Sequence, residues 1–233
     1  MKYSFYVANN QSAESCLNRI TFDSESKNGE VQLCDKLPQG VQFIAHNSVD
    51  KKVYAVIGSE KEDECILITY DYYQTKIHQI KVHSASYIYI DPTMRKAYLS
   101  DYLGSQFALI ELDFKGIPKK GIQYFKLEGS GPVLERQEKS HPHSILIYKN
   151  NILFVPDLGS DCIWQILLEK DDSIGRTIEN HVIPGSGPRH LCIANKQRII
   201  YVINELTSMI NVYDFLNEEE SLKLKQAIST LPI

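Results

Sequence analysis

Short apolar runs, each containing an aromatic residue, recur along the chain at intervals of about 40 to 56 residues, a period typical of propeller-like repeats. Five such runs are similar: residues 5–9, 53–57, 97–101, 153–157 and 200–204. Their aromatic residues are Tyr6, Tyr54, Tyr98, Phe154 and Tyr201. Because aromatic and β-branched residues dominate the runs, we predict a β-strand at each and treat the recurring aromatic position as blade core.

Further strand patterns flank these runs on both sides. A second β-rich run follows each after a turn, at residues 17–22, 66–70, 108–112, 163–167 and 210–213. A further strand candidate precedes four of the five aromatic runs, at residues 41–45, 87–90, 145–148 and 191–194. Each repeat also contains a more variable stretch that is long enough for an outer strand. The chain shows no helical periodicity of useful length. The sequence thus predicts an all-β protein, a single β-propeller domain over residues 1–233 with about five four-stranded blades.

Propeller geometry brings polar residues of different repeats to one end of the blades. The first strand of a blade begins where its antiparallel second strand ends, so the two positions share a face. His141, His143 and Arg189 stand at the starts of first strands, and Asp157 and Glu205 stand at the ends of second strands. We therefore expect these side chains to meet at the mouth of one channel, where small-molecule sites are common.

These residues also have plain structural interpretations. The His-Pro-His loop at 141–143 offers a general base near neutral pH, but histidines on a loop also cap turns. Arg189 follows glycines that let the backbone approach a ligand, and its guanidinium matches a carboxylate or phosphate. The same Gly-Ser-Gly-Pro sequence occurs at 129–132 without an arginine. Carboxylates at strand ends, such as Asp157, commonly cap the following turn.

Other chemistries find little support in the sequence. It contains no GxSxG nucleophile elbow, no Walker-type glycine-rich loop and no HExxH zinc pattern. The spacing of the histidines is not a recognised metal-ligand signature.

Segments 135–144, 156–159 and 187–190 resemble loops of the lactonase family of seven-bladed β-propellers, and the resemblance is densest over residues 129–213. That family contains bacterial-type 6-phosphogluconolactonases and fungal cyclases that close or open muconate lactones. The resemblance implies a lactonase-type propeller with about five of the expected seven blades, truncated at its C-terminus. It implies neither a metal ion nor another cofactor.

The resemblance also implies catalytic roles. His143, with His141 as the second candidate on the same loop, is implied as the base that activates water. Arg189 is implied as the ligand of an anionic substrate, and Glu205 as the carboxylate that orients the histidine or the water.

Three further residues belong to the substrate site that the resemblance implies: His190, Asp157 and Arg136. For Asp157 a structural role is the preferred alternative. Arg136 lies on a loop long enough to fold over the mouth, where it either meets a substrate phosphate or pairs with Glu138.

The implied activity is hydrolysis of a sugar lactone, with 6-phosphogluconolactone of the pentose phosphate pathway as the leading substrate. Two alternatives remain: a cyclase acting on carboxy-cis,cis-muconate, and a catalytically inactive propeller that only binds a partner. An incomplete ring exposes edge strands, so we also expect self-association through an open edge.

Composition narrows the choice of partner and compartment. The 25 basic residues are outnumbered by 29 acidic ones, and this balance provides no strong attraction for nucleic acid. Five scattered cysteines without a CxxC pair favour a reducing compartment over a disulfide framework. No apolar stretch reaches the about 18 residues needed to span a membrane. We therefore predict a cytoplasmic protein that binds neither nucleic acid nor membrane, and the resemblance implies a small anionic lactone as its partner.

Overall fold

The regular structure of the protein consists of β-strands. A computed structural model describes residues 1–9, 15–37, 40–58, 63–71, 75–149, 151–194, 196, 198–217 and 219–232. These residues form 19 strands in five sheets, with no helix among them. None of the described elements is therefore a helix able to cross a membrane.

Strands that are consecutive in the chain are neighbours in each sheet. The first sheet contains β1 (Lys2–Asn9), β2 (Cys16–Asp23) and β3 (Asn28–Lys36). The second contains β4 (Val41–Asn47), β5 (Lys52–Gly58), β6 (Glu64–Tyr70) and β7 (Lys76–His83). The third contains β8 (Tyr87–Asp91), β9 (Lys96–Asp101), β10 (Gln106–Leu112) and β11 (Pro118–Lys126). The fourth contains β12 (Leu146–Tyr148), β13 (Ile152–Asp157), β14 (Cys162–Leu168) and β15 (Ile174–His181). The fifth contains β16 (Pro188–Ala194), β17 (Ile199–Asn204), β18 (Met209–Asp214) and β19 (Lys223–Ser229).

The all-β prediction and the number of blades are confirmed, but the first blade differs from the expected four strands. Its aromatic run forms β1, which corresponds to β5, β9, β13 and β17, the second strands of the other blades. The described residues provide no inner strand beside β1. This agrees with the sequence pattern, which contains a first-strand candidate ahead of only four aromatic runs.

Burial explains why the middle strands are nearly continuous apolar runs. All six residues of β13 are buried, as are five consecutive residues of β5. A strand with both faces covered needs apolar side chains at every position, whereas a half-exposed strand alternates. The outer strands are accordingly polar, and every residue of β19 is exposed.

The chain divides into two compact units, residues 1–97 with 110–121, and residues 98–109 with 122–233. In the first unit, a core cluster joins residues of the first two sheets, including Leu17, Val53 and Tyr70. In the second unit, a cluster joins the fourth and fifth sheets around Phe154 and Phe215. The prediction of a single domain stays a prediction.

The recurring aromatic position is not core in every blade. Tyr54, Tyr98 and Phe154 are fully buried, whereas Tyr201 is 39% exposed. Phe154 packs in the cluster between the fourth and fifth sheets, and Tyr201 has the corresponding place in the fifth sheet. The core assignment of Tyr201 is therefore wrong, because the described residues leave its side chain partly uncovered.

Apolar side chains are also exposed on the first sheet. Tyr3, Phe5 and Val7 alternate along β1 and are 49%, 47% and 39% exposed. Alternation places them on one face of the strand. Self-association through an apolar edge of this kind stays a prediction.

The buried position of Phe154 leads to a stability prediction. Its ring packs edge-to-face against Phe215 with centroids 5.2 Å apart. The substitution Phe154→Ala is expected to lower the free energy of unfolding by about 3–5 kcal/mol, through lost burial and a cavity. Phe114→Ala is the matched control, because Phe114 is 74% exposed. Urea unfolding followed by circular dichroism measures both, and losses of equal size would contradict the assignment of Phe154 to the core.

Candidate functional site

The predicted site residues converge in the second compact unit. The loop between β11 and β12 contains Arg136, His141 and His143, and its only strand-like pairing among the described residues is the isolated bridge from Pro142 to Asp157. Asp157 ends β13, and the start of β16 brings Arg189 to the same place. Glu205 follows β17 directly.

Asp157 anchors this loop. Its carboxylate is completely buried and accepts hydrogen bonds from Ser140 Oγ at 2.5 Å and from the backbone N–H of His141 at 2.6 Å. It also accepts from Trp164 Nε1 at 3.0 Å and from the backbone N–H groups of the turn at 159–160. A buried carboxylate with five donors is well compensated for its desolvation. The geometry thus favours the structural alternative for Asp157, and a contact with substrate stays a prediction.

His141 is buried against the third blade. Its Nδ1 lies 2.8 Å from the carbonyl oxygen of Tyr102, which only accepts, so Nδ1 donates. Its Nε2 lies 3.0 Å from Oε1 of Glu138, and this hydrogen bond is the main cause that lowers the pKa of Glu138. With both ring nitrogens engaged, His141 is fixed in place by its neighbours.

His143 faces the arginine instead. Its Nε2 accepts a hydrogen bond of 2.9 Å from Nε of Arg189, and its backbone N–H donates to the carbonyl of Pro156 at 3.0 Å. Burial, followed by the positive charges of Arg189 and His190, lowers the pKa of His143 from the usual 6.5 to about 4. His143 is therefore a neutral imidazole at neutral pH, with a lone pair directed at Arg189.

Arg189 owes its position to an irregularity in β16. The register between β16 and β17 shifts between Pro188 and His190, so Arg189 is the extra residue of a β-bulge. Its carbonyl accepts a hydrogen bond from Ser144 Oγ at 3.0 Å. The side chain is 48% exposed, and no hydrogen bond to any described residue engages its two terminal nitrogens. These nitrogens remain available to an anion.

Glu205 lies between two arginines. Its Oε1 accepts a hydrogen bond of 2.5 Å from Nη2 of Arg136, and its Oε2 lies 2.9 Å from Nε of Arg189. Arg136 therefore pairs with Glu205, and the alternative pairing with Glu138 was wrong. Within the described part of the chain, Glu205 makes no hydrogen bond to either His141 or His143.

The charges of Arg136 and Arg189 act on the carboxylate of Glu205. Partial burial alone would raise the pKa of Glu205, but the hydrogen bond from Arg136 and the charges of Arg189 and Arg136 outweigh it and hold that pKa below its usual value. The hydrogen bond to Glu205, and after it the nearby hydroxyl of Tyr102, raises the pKa of Arg136. Two guanidinium groups against one carboxylate leave one net positive charge for an anionic ligand.

His190 lies beside His143. Its ring centroid is 5.1 Å from that of His143, at an interplanar angle of 50°. Burial, followed by the charge of Arg189, lowers the pKa of His190 as well. A neutral His190 therefore adds a polar ring to the site but no positive charge.

Two structural residues escaped the sequence interpretation. Gln137 is fully buried and donates from Nε2 to the carbonyl of Leu158 at 2.8 Å, which fixes the loop below Arg136. Asp161 accepts the backbone N–H groups of Gly185 at 2.6 Å and Gly187 at 2.8 Å, which fixes the turn before Arg189. The repeated turn pattern after each second strand was the available signal for Asp161. Gln137 has no such signal.

Glycine is required at position 159, in the turn after β13. A Cβ at Gly159 would collide with the carbonyl oxygen of Lys139 and lie 2.8 Å from the backbone nitrogen of His141. The loop between β11 and β12, which contains His141 and His143, is called the histidine loop below. The turn after β13 approaches this loop more closely than any residue other than glycine at position 159 would allow.

No group of three or more histidine, cysteine, aspartate or glutamate side chains able to hold a metal ion occurs among the described residues. The five cysteines are free thiols. Imidazole, guanidinium and carboxylate groups are the reactive side chains that the structure brings together at this site.

Comparison with known proteins gives a consistent result. A family model described as "Lactonase, 7-bladed beta-propeller" matches residues 5–233. A 6-phosphogluconolactonase of Formosa agariphila is 29% identical over 210 residues, covering 84% of this chain and 60% of that protein. A 6-phosphogluconolactonase of Buchnera aphidicola is 28% identical over 232 residues, covering 97% of this chain and 64% of that protein. The chain thus spans less than two thirds of the length of these curated relatives.

Solved structures agree in fold. A protein from Lactobacillus plantarum superposes with a TM-score of 0.83 at 20% identity, over 99% of this chain and 67% of that one. The periplasmic gluconolactonase of Pseudomonas aeruginosa superposes with a TM-score of 0.82 at 17% identity, over 100% of this chain and 69% of that one. At these identities the likeness concerns the fold alone, and with the family match it confirms the predicted lactonase-type propeller.

The structural role of Asp157 is testable by removing its charge while keeping its shape. Asp157→Asn places an amide N–H₂ among five donors, so we expect a loss of about 1–3 kcal/mol in the free energy of unfolding. Limited proteolysis should also cut the histidine loop faster. Asp171→Asn, an exposed turn position, is the control. A variant of unchanged stability that only binds ligand more weakly would show that Asp157 is primarily a substrate contact.

Proposed function

The chain belongs to the lactonase family of seven-bladed β-propellers, and from that premise we propose that it hydrolyses a sugar lactone, 6-phosphogluconolactone, to the open acid. The observation behind the proposal is the neutral imidazole of His143, hydrogen-bonded through Nε2 to an arginine whose terminal nitrogens are open to an anion. The names of the curated relatives support the substrate.

His143 is the proposed general base. Its Nε2 takes a proton from water as the water oxygen attacks the lactone carbonyl carbon. The bond between that carbon and the ring oxygen then breaks, and the imidazolium returns its proton to the leaving oxygen. The acid and the alcohol of the product are thereby formed, with His143 back in its neutral state and no covalent intermediate.

The hydrogen bond from Arg189 sets the order of events. It occupies the Nε2 lone pair that the reaction needs. An anionic substrate that draws the guanidinium towards itself releases this lone pair and partly neutralises the charge that opposes protonation. Binding of the anion therefore prepares the base.

Glu205 is proposed to act on the arginines and not on the water. Its carboxylate holds Arg136 and Arg189 side by side, in spite of their like charge. The pair is thereby ready for a phosphate or carboxylate, which the planar guanidinium binds in a two-pronged manner. Arg136 and His190 complete the proposed substrate site.

Removal of the base tests the mechanism directly. His143→Ala is expected to lower kcat for 6-phosphogluconolactone by about 10²-fold or more, as losses of general bases do. His181→Ala is the matched control, because His181 is 67% exposed on β15. The assay subtracts spontaneous hydrolysis and includes carboxymuconolactone as a second substrate. Equal activity of the His143→Ala variant and the wild type would remove His143 from the mechanism.

A wild-type chain that opens neither lactone would contradict the hydrolase itself. In that case the inactive binding module becomes the better account. Turnover of carboxymuconolactone alone would favour the cyclase.

The pH profile tests the coupling between base and arginine. Neutral His143 predominates above its pKa of about 4, so kcat/KM should fall only as the pH drops through that value. Arg189→Gln removes a positive charge that lowers this pKa, so the acid limb should move upwards, towards the usual histidine range. Stopped-flow hydrolysis measures both profiles. An acid limb at the same pH in both proteins would contradict the coupling.

The guanidinium geometry of Arg189 gives a binding prediction. Arg189→Lys keeps the charge but loses the planar fork, so we expect a higher KM with a smaller change in kcat. Arg176→Lys is the control, because Arg176 is exposed on the outer strand β15 and donates to the carbonyl of Glu219. A fall in kcat with unchanged KM would show that Arg189 acts in the transition state alone.

A further inference from the structure

Tyr102 joins the site from the third blade, although no motif points to it. It begins the turn between β9 and β10. Three hydrogen bonds hold this turn against the histidine loop: Tyr102 O accepts from His141 Nδ1 at 2.8 Å, Leu103 O accepts from Lys139 Nζ at 2.7 Å, and Ser105 Oγ donates to Ser140 O at 2.7 Å. The backbone of Tyr102 is thus held beside the histidine loop.

The ring contacts both imidazoles of the loop. It stacks on His141 with centroids 4.2 Å apart and an interplanar angle of 16°. It meets His143 edge-to-face, with centroids 5.7 Å apart and an angle of 77°. One aromatic plane therefore defines the orientation of both rings, and these are the favourable arrangements for aromatic pairs.

The hydroxyl of the same residue reaches the arginine side of the site. It lies close enough to the Arg136 side chain to help raise the pKa of that guanidinium, and Arg136 also pairs with Glu205. Tyr102 thereby packs against the histidine loop on one side and lies near Arg136 on the other.

We propose that Tyr102 is a positioning residue of this site, whose ring orients His143 and covers it from water so that its Nε2 stays directed at Arg189. The proposal deepens the lactone hydrolase proposed above, and its role assignment for His143 rests on that function. Tyr102 itself acts through His143 and takes no part in bond making.

The surroundings of His143 make this role measurable. Arg189 and His190 face it from β16, Glu205 from the end of β17, and Tyr102 from the turn after β9. Burial is the largest cause that lowers the pKa of His143, ahead of both charges. Loss of the flat ring would admit water on one side and leave the charged groups in place. The proton affinity of His143 should then rise.

A pair of substitutions separates the ring from the hydroxyl. In Tyr102→Phe, the His143 titration should stay close to that of the wild type, because the ring remains. In Tyr102→Leu, the midpoint should move upwards by about one pH unit or more, towards the ordinary histidine value. Tyr124→Leu, on the exposed outer strand β11, is the control. ¹H–¹³C NMR of the histidine Cε1–H groups measures the titration, with His143 assigned from its missing signal in His143→Gln.

The outcomes distinguish this proposal from the proposed function. An unchanged His143 titration in a folded Tyr102→Leu variant overturns the role of Tyr102, whatever the activity. If the His143 titration shifts in Tyr102→Leu but the wild-type chain opens no lactone, the role of Tyr102 is supported and the proposed hydrolase is overturned. If the protein is an active hydrolase, the acid limb of kcat/KM in Tyr102→Leu should shift with the NMR midpoint. If the leucine variant does not fold, Tyr102→Met takes its place, because its side chain fills similar space without a planar ring.

Discussion

The buried carboxylate of Asp157 is the interaction on which the site depends. It ends a strand whose six residues are all buried, and it has five hydrogen-bond donors from three directions. The histidine loop has almost no strand pairing of its own, so these bonds and the close approach at Gly159 determine its path. A buried carboxylate is stable only when hydrogen-bond donors surround its oxygens, so the loop must keep the path that brings Ser140 and His141 to Asp157. The functional groups of the loop are thus supported by a buried and fully hydrogen-bonded carboxylate.

A second carboxylate, Asp161, does the same for the arginine. It binds two backbone N–H groups of the turn at 185–187, where Gly187 has φ of +62° and a Cβ would lie 2.6 Å from Leu206. The chain then enters β16 through the bulge at Arg189. The fourth blade therefore supplies Asp157, which fixes the loop of His143, and Asp161, which fixes the turn before Arg189 of the fifth blade. Sites built on such strand ends hold their groups more precisely than free loops do.

The sequence predicted the sheets well because each blade repeats a local pattern that burial imposes. It also predicted which end of the blades gathers His143, Arg189 and Glu205, since that follows from strand direction alone. It failed where partners are chosen by loop conformation. Arg136 reaches Glu205, which is distant in sequence, and not its neighbour Glu138, whose carboxylate is bound to His141.

Other failures have different physical reasons. Tyr201 matches its repeats in sequence, yet its exposure depends on whether another sheet covers it. Tyr102 was overlooked because its position in an ordinary hairpin turn gives no indication that two imidazoles pack against its ring. Contacts between blades are tertiary, and local pattern contains no information on them. Residues that position others are therefore the ones that sequence reasoning misses most readily.

The hydrogen bond between Arg189 and His143 links anion binding to the proton affinity of His143. In the structure, burial and then the charge of Arg189 lower the pKa of His143 to about 4, and the guanidinium N–H occupies the Nε2 lone pair. A bound anion competes for the same N–H and offsets the same charge, so both effects weaken together. By linkage, any ligand that binds Arg189 in this way must also raise the proton affinity of His143, and protonation of His143 must favour that ligand. A neutral lactone of the same shape would not raise the proton affinity of His143. In the proposed lactonase, this link between anion binding and protonation would therefore favour negatively charged substrates at the catalytic step as well as in binding.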